Sequence, residues 1–411
     1  MKKIAIVSNG YAWFPVEPGP SRFYYIANIF CDEGWDVEII TTSFQHFNKQ
    51  PRNRKLIKEQ GYPFKITMID TPSYKKNIDI RRVYSNKVLE KNIIKYLKNR
   101  INQYDAVYCS IPANNIAASV SKICKANNVP FVVDIEDLWP EAMSMVLKNN
   151  KLRNVLLHKM NKDAETAYSN AAGVVGTSED YTDRAFRKRE RNIPNYTVYV
   201  GCDLKQFDDG VSQFCDEISK NDSEIWVTYA GSIGTSYDIK NLIDAGIKAY
   251  GVNNNIRIQI LGTGPMKDEL VEYSKNASAT FVKFWGYMKY PQMAAFLAKS
   301  DILVNSFVKG APQSIVNKIG DYLAAGKPML NTLENPVFCS LVDKYRFGLN
   351  VEAGRADILS EAILSLCNDN AKLTEFGKNA RDLAEIRFDR SVAYKEIVKL
   401  VNSTLGECEN E

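Results

Sequence analysis

At 411 residues the chain is too long for one ordinary core, and its 45% hydrophobic and 25% charged content is that of a soluble globular protein, so two domains of roughly 200 residues are expected. Its eight cysteines include no Cys-x-x-Cys pair, and its two histidines, His46 and His158, stand beside no nucleophile-like Ser or Cys motif. Zinc-ribbon, Ser-His-Asp and cysteine-protease chemistry are therefore unsupported, and free thiols in a reducing compartment are expected. The net charge of +5 is mild but uneven, with 15 Lys and Arg against four Asp and Glu between Phe44 and Arg100. A solvated helix surface fits that charge, and so does a face attracted to the phosphates of an anionic membrane or a lipid-linked substrate; no recognisable nucleic-acid module accompanies it.

The start, MKKIAIVSNG, has four apolar residues before Ser8-Asn9-Gly10. That is far short of a signal-peptide core or of the roughly 20 residues that span a bilayer, so it reads as a first strand of a cytoplasmic protein. The helix SRFYYIANIFCDEG, the strands DVEIITT and KITMID, a long basic helix to Arg100 and the strand DAVYCS follow. Next come a helix from Asn115 to Asn127, the strand PFVVDI, a helix from Lys151 to Asn170 and the strand GVVGTS. Such alternation predicts right-handed βαβ crossovers and a parallel sheet covered on both faces, in a first domain over residues 1–205.

The polar segment from Gln206 to Ser223 lacks a clean apolar period and is expected to be a linker. A second series begins with EIWVTYAGS and a helix from Lys240 to Tyr250, then IRIQILGTG, a helix from Lys267, TFVKFWGYM, the helix PQMAAFLAKS, DILVNSF, the helix VNKIGDYLAAG and KPMLNT. It predicts a second Rossmann-like domain over residues 206–388. The segment RSVAYKEIVKLVNSTLG, within 389–411, is an amphipathic helix expected to return to the first domain, or else to pack on the second.

In an open parallel sheet, ligands bind where strands end and the next helix begins, so the loops after strands carry the candidates. SNGYAWFPVEPGPSR places Gly19 between two prolines, where backbone can approach a ligand closely, but matches neither Gly-x-Gly-x-x-Gly nor the Walker pattern. Gly231, Ser232 and Gly234 follow one strand and Gly262 and Gly264 another. Two glycine turns on one sheet edge point to a phosphate or nucleotide site more strongly than either alone. In APQSIVNKIGDYLAAGKPMLNT, Asp321 lies on a helix that ends at Gly326, and Gln313 precedes that helix. Lys318 is placed to neutralise a phosphate or to pair with Asp321. Finally, VVDIEDLWPEAM breaks an apolar run with Asp134, Glu136 and Asp137, as metal ligands, a catalytic pair or a solvated loop.

Taken in order, PGPSR, DIEDLWPE, GVVGTSED, GCDLKQF, YAGSIG, LGTGP, FWGYM and NKIGDYLAAGKPML resemble the retaining nucleotide-sugar glycosyltransferases of family 4, in the subgroup that builds bacterial capsules, O-antigens and exopolysaccharides. The resemblance spans nearly the whole chain. It implies the α/β GT-B fold, two Rossmann-like doubly wound parallel-sheet domains facing across a cleft. It implies a nucleotide-diphosphate sugar, more often a uridine one, as donor substrate, with no separate cofactor and no metal. The acceptor it implies is a glycan or a polyprenyl-diphosphate-linked glycan, reached by the first domain, with residues 44–100 as an anionic-membrane face and the enzyme peripheral on the inner face of the cell membrane.

By the same resemblance, the family's Glu-x7-Glu pair falls on Gln313, which loses the charge, and on Asp321, which keeps a ribose-binding carboxylate on a shorter stem. The phosphate-binding Arg and Lys of many relatives fall on Ser232 and Asp238. Diphosphate charge is then expected to meet backbone N–H groups around Gly19, Gly231 and Gln313, Ser314, Ile315 and Val316, or Lys318 or Lys267. Gly262, Gly264, Tyr287 and Met288 complete the donor contacts. Glu136 takes the place of a histidine near the anomeric carbon and Asp137 that of the following acid, so Glu136, Asp137 and Gln313 are the catalytic candidates. Asp134-x-Glu136 matches the Asp-x-Asp of the metal-dependent GT-A class only superficially, because strand alternation buries Asp134. Two other functions stay open on this sequence: a nucleotide-sugar epimerase of the same fold, and a catalytically inactive partner subunit.

Overall fold

The computed structural model describes residues 1–8, 12–17, 21–76, 79–141 and 151–406, without the side chains of residues 151–153 and 156. The chain divides into two compact units, Met1–Tyr199 with Ala393–Glu411, and Val200–Val392.

The first unit is built on seven parallel strands, β1 Lys3–Ser8, β2 Asp36–Thr42, β5 Lys65–Ile69, β6 Ala106–Ile111, β7 Phe131–Ile135, β8 Gly173–Gly176 and β9 Asn195–Thr197. A short antiparallel hairpin, β3 Phe44–Gln45 and β4 Gln50–Pro51, lies outside that sheet. The spatial order is β5-β2-β1-β6-β7-β8-β9. The central strands are apolar runs because helices cover both faces; β6 is buried along its whole length. On one face the helices Ile80–Lys98, Asn114–Ala126 and Lys151–Asn170 bring Leu89, Ile93, Ile116 and Tyr168 against Val107, Val133 and Val174. On the other, the helix Arg22–Asp32 and the C-terminal helix Lys395–Thr404 bring Phe23, Ile26, Ile397, Leu400 and Val401 against Ile4, Val132 and Val175.

The second unit has six parallel strands, β10 Ile225–Ala230, β11 Ile256–Leu261, β12 Val282–Gly286, β13 Ile302–Asn305, β14 Met329–Asn331 and β15 Gly348–Asn350, in the order β12-β11-β10-β13-β14-β15. The chain works outward to one edge, returns to the centre and works outward to the other. The topological switch point therefore lies between β10 and β13, where the crossover helices leave in opposite directions and a crevice opens at the carboxyl ends of the strands.

The segment expected to be a linker is instead structured: Leu204–Phe214 is a helix, capped by Asp203, whose side chain accepts from the Gln206 N–H at 2.9 Å. Its buried residues, Leu204, Phe207 and Gly210, fall at i, i+3 and i+6, so three apolar positions in eleven suffice for one narrow contact. Gly210 is part of that contact, since a Cβ there would stand 2.7 Å from the Cα of Pro291. The crossing between units also lies earlier than the expected boundary. Val198 and Tyr199 give their carbonyls to Arg22 of the first unit, whereas Cys202 donates its N–H to Phe388 of the second at 2.8 Å.

Candidate functional site

At the switch point of the second sheet, β10 ends in Tyr229-Ala230-Gly231 and β13 runs on into Ser306-Phe307. The helix Lys318–Ala324 sends Tyr322 between them. Its hydroxyl accepts the Ala230 N–H at 2.7 Å and donates to the carbonyls of Ala230 and Val304, so one phenol staples the two strands where they part. Tyr229 turns its own hydroxyl to the Ser232 carbonyl at 2.7 Å. With their polar ends so engaged, these rings present their faces inward, and the Lys318 ammonium lies among them. Its Nζ is 4.2 Å from the ring centre of Tyr229, 5.0 Å from Tyr237, 5.3 Å from Phe307 and 5.6 Å from Tyr322.

That ammonium is buried without a hydrogen-bond partner among the described residues. Burial alone pushes its pKa down to about 7. Four rings supply cation–π attraction but no acceptor, so the charge is only partly compensated. The pairing with Asp321 considered from the sequence does not form. Asp321 accepts instead from the Tyr290 hydroxyl at 2.9 Å. Burial raises the Asp321 pKa to about 6, against the lowering influence of the Tyr290 hydrogen bond and of Arg390. Gln313 leaves its Oε1 buried and unpartnered among the described residues.

The two glycine turns interlock. Gly231 donates its N–H to Leu261 at 3.0 Å and Gly262 donates to Gly286 at 2.7 Å. A Cβ on Gly262, whose φ is +125°, would meet the Gly231 carbonyl at 1.8 Å, and one on Gly264 would meet that of Ile233 at 2.2 Å. These glycines let two backbone turns touch. The Gly231 N–H expected to face a phosphate is consumed in that contact. Gly234 has open space around it, Ser232 is exposed, and Lys267 brings its Nζ within 3.6 Å of a Cβ built on Gly286. Tyr287, directly after β12, is 77% exposed, and Met288 is half-buried. Ser314 is buried, with Ile315 and Val316 half-buried beside it; Val316 gives its carbonyl to Ile319. At Ser232 and Asp238, where cations were absent from the sequence, Asp238 caps the helix Ile239–Val252 by accepting from Asn241 at 3.1 Å.

In the first unit the three carboxylates at the end of β7 and just beyond it have three different environments. Asp134 is fully buried and held by Arg22, whose Nε donates to Oδ2 at 2.8 Å and whose Nη2 reaches Oδ1 at 3.4 Å. Arg22 in turn lies 4.9 Å from the ring centre of Tyr394. Asp134 is thus an internal counter-ion. Glu136 is half-buried, its N–H tied to the Ile111 carbonyl at 3.0 Å. Desolvation, then Asp134 and Asp137, push its carboxyl well above the usual range, against Arg22. Asp137 accepts from the Trp139 indole at 3.0 Å, and burial raises it also. Arg82 lies 5.6 Å from the Trp139 ring centre. Gly19, and Ala142-Met143 at the end of the acidic stretch, lie outside the described residues.

Residues 213–383 match the family described as Glycosyl transferases group 1. No curated protein matches the chain. Among solved structures, HepE of Anabaena in complex with UDP aligns with a TM-score of 0.71 at 16% identity, over 98% of this chain and 100% of that one. Sucrose-phosphate synthase of Thermosynechococcus elongatus aligns at 0.67 and 15%, over 99% and 100%, and a glycosyltransferase of Rickettsia africae at 0.68 and 16%, over 100% and 99%. The fold is GT-B.

Within this GT-B chain the group 1 match falls in the second unit and takes in the glycine turns, the aromatic box, Lys318, Asp321 and Gln313. Glu136, Asp137 and Arg22 lie outside it. Sequence reasoning missed the box and the Arg22–Asp134 pair. A signal for the box was present in the aromatic residues at strand ends, Tyr229 two residues before Gly231 and Phe307 two after Asn305.

Proposed function

We propose that the protein is a retaining, metal-independent glycosyltransferase. It moves a sugar from a nucleotide-diphosphate sugar, a uridine one by preference, to a hydroxyl of a glycan or polyprenyl-diphosphate-linked acceptor in the synthesis of a capsule, O-antigen or related exopolysaccharide. The observation that carries the reading is the buried Lys318 ammonium, unpartnered among the described residues, at the switch point of a domain that matches a glycosyltransferase family. An open doubly wound sheet binds its ligand there, and an unpaired cation suits an anionic ligand. The preference for uridine draws support from HepE, solved with UDP and with UDP-glucose.

In this reading the bond between the anomeric carbon and the donor phosphate breaks, the acceptor oxygen takes its place on the same face, and the acceptor proton passes to the departing phosphate. Asp321 accepts a ribose hydroxyl, Tyr287 offers a ring face to the base, and Glu136 hydrogen-bonds the reacting sugar with Asp137 beside it. The first domain meets an anionic membrane through exposed Ile80, Val83 and Tyr84 next to Arg81 and Arg82. Co-sedimentation with anionic but not neutral vesicles, lost at high salt, is the expected result there; salt-independent partitioning without preference for anionic lipid refutes that part.

A thermal-shift series with UDP, GDP and their sugars tests the core of the reading and needs no acceptor. A ligand at 100 times its Kd stabilises by about 2.7 kcal/mol. Uridine donors are expected to raise Tm most, and a series in which no nucleotide moves it refutes the assignment.

A further inference from the structure

The donor reading leaves one electrostatic problem. A nucleotide-diphosphate sugar brings two negative charges to the carboxyl edge of the second sheet, and the loop after β10 offers Ser232 and Asp238 where a cation would serve. The Gly231 N–H is occupied, and the helix behind it, Lys318–Ala324, has too few turns to concentrate a dipole there. Lys318 comes close to that turn: its Cδ lies 3.7 Å from a Cβ built on Gly231, so its stem runs past the turn and its end is folded into the ring box.

Resting on the donor reading, we propose that Lys318 is the diphosphate counter-ion of this site, stored in the box of Tyr229, Tyr237, Phe307 and Tyr322 and drawn out past Gly231 onto the phosphate oxygens when the donor binds. A buried ammonium with no acceptor is costly unless something else uses it. Hydrophobic residues of similar volume would fill the same space without that cost. The box has the character of a holding place, since ring faces attract a cation yet leave all its N–H donors unused, ready for transfer to a stronger acceptor.

A change in proton content follows. The titratable groups facing the amine are the phenols of Tyr229 on β10, Tyr237 ahead of the helix Ile239–Val252 and Tyr322 on its own helix, all raised by burial and neutral near pH 7. Asp321, on the next turn, is engaged by Tyr290, and Asp238, beside Tyr237, by the Asn241 N–H. Since the resting amine titrates at about 7 and a phosphate contact favours the charged form, binding above that pH takes a proton from solution. Through Lys318, donor affinity then falls above about pH 7, towards one tenth for each further pH unit, from a plateau whose acid limb is set by Asp321 at about 6.

The test is calorimetric titration of wild type, Lys318→Met, Lys318→Arg and Lys267→Met with UDP and uridine, and with GDP and guanosine. In wild type the diphosphate tightens binding over the nucleoside; Lys318→Met is expected to cut that advantage by about 10- to 100-fold while leaving nucleoside affinity unchanged, and Lys318→Arg to restore most of it. The unchanged nucleoside affinity shows that the variant is folded. Independently of any variant, UDP-glucose, whose diphosphate has no proton to gain near neutrality, is titrated into wild type at about pH 8 in buffers of different ionisation enthalpy. Uptake approaching one proton per ligand is expected. A diphosphate advantage that survives Lys318→Met, or that is lost with Lys267→Met instead, overturns the proposal, as does UDP-glucose binding without proton uptake. Failure of every nucleotide and nucleoside to bind removes the donor reading itself and this proposal with it, which distinguishes the two.

Discussion

Each domain buries a charge near the carboxyl edge of its sheet, and the two charges are treated in opposite ways. In the first, Asp134 is enclosed with a guanidinium that meets both its oxygens, and the same Arg22 binds the carbonyls of Val198 and Tyr199. In the second, Lys318 is enclosed with four rings and, among the described residues, no acceptor. A buried ion whose partners are all internal has its work within the fold, whereas one whose hydrogen-bonding capacity is left unused is prepared for something that arrives from outside. By that measure Asp134, foremost in the acidic stretch of the sequence, belongs to the scaffold. The functional interest of the stretch moves to Glu136 and Asp137.

The sharpest way to break this contrast is at Arg22. Arg22→Met strands Asp134 as an uncompensated buried charge and should destabilise the first domain by about 3–5 kcal/mol, read from the urea midpoint. A loss below about 1 kcal/mol means that Asp134 is not the internal counter-ion described. Next in size, Glu136→Gln should lower turnover by about 100-fold or more with donor affinity unchanged if, as proposed, the position serves the reaction rather than nucleotide binding. Equal losses in turnover and affinity place it in binding instead.

Lys318→Met should have the opposite sign to Arg22→Met. Removing a buried, unpaired ammonium is expected to stabilise the second domain by about 1 kcal/mol while donor binding weakens. In wild type, the Lys318 pKa is depressed on folding, so the unfolded chain binds the extra proton. Stability should therefore rise with pH from about 7 to the usual lysine value of 10.5, and that rise should be smaller in the variant. The smallest effect is expected at Tyr290→Phe. Asp321 titrates at about 6, and the lost phenol bond should move the acid limb of donor affinity upward by less than about one pH unit, leaving the plateau unchanged.

The fold was legible in the sequence because its strands are apolar runs bounded by turn signals, and a doubly wound sheet follows from their alternation with helices. The helix Leu204–Phe214 escaped because three buried positions among eleven leave too little periodic signal, its packing depending on the shape of Pro291 opposite. The candidate site was legible as a set of loops but not as a set of partners. Lys318 was visible as a cation near Asp321; that it turns away from the acid and into rings drawn from β10, from the loop after β13 and from the segment before the helix Ile239–Val252 is a tertiary fact without a local signature. Arg22 and Asp134, 112 positions apart, meet for the same reason. The glycine turns show the converse: their pattern suggested an open phosphate cradle, and their geometry shows two turns pressed together.

The C-terminal helix gives the chain an unusual order of assembly. Leu400 and Val401 share a core with Val132 and Val175, and a Cβ added at Gly173 would stand 2.7 Å from the Leu400 Cδ2. One face of the first domain is therefore finished by residues that leave the ribosome after the whole of Val200–Val392. Synthesis from the N-terminus ordinarily favours the leading domain. Here the inner segment holds all the residues of its own core at a moment when the leading domain still shows an apolar strip, so the part made second is the first able to close. A chaperone that shields the waiting strip, or a stalled chain cut short before Leu400, would meet a first domain with its sheet in place and one face left only partly covered, by the helix Arg22–Asp32.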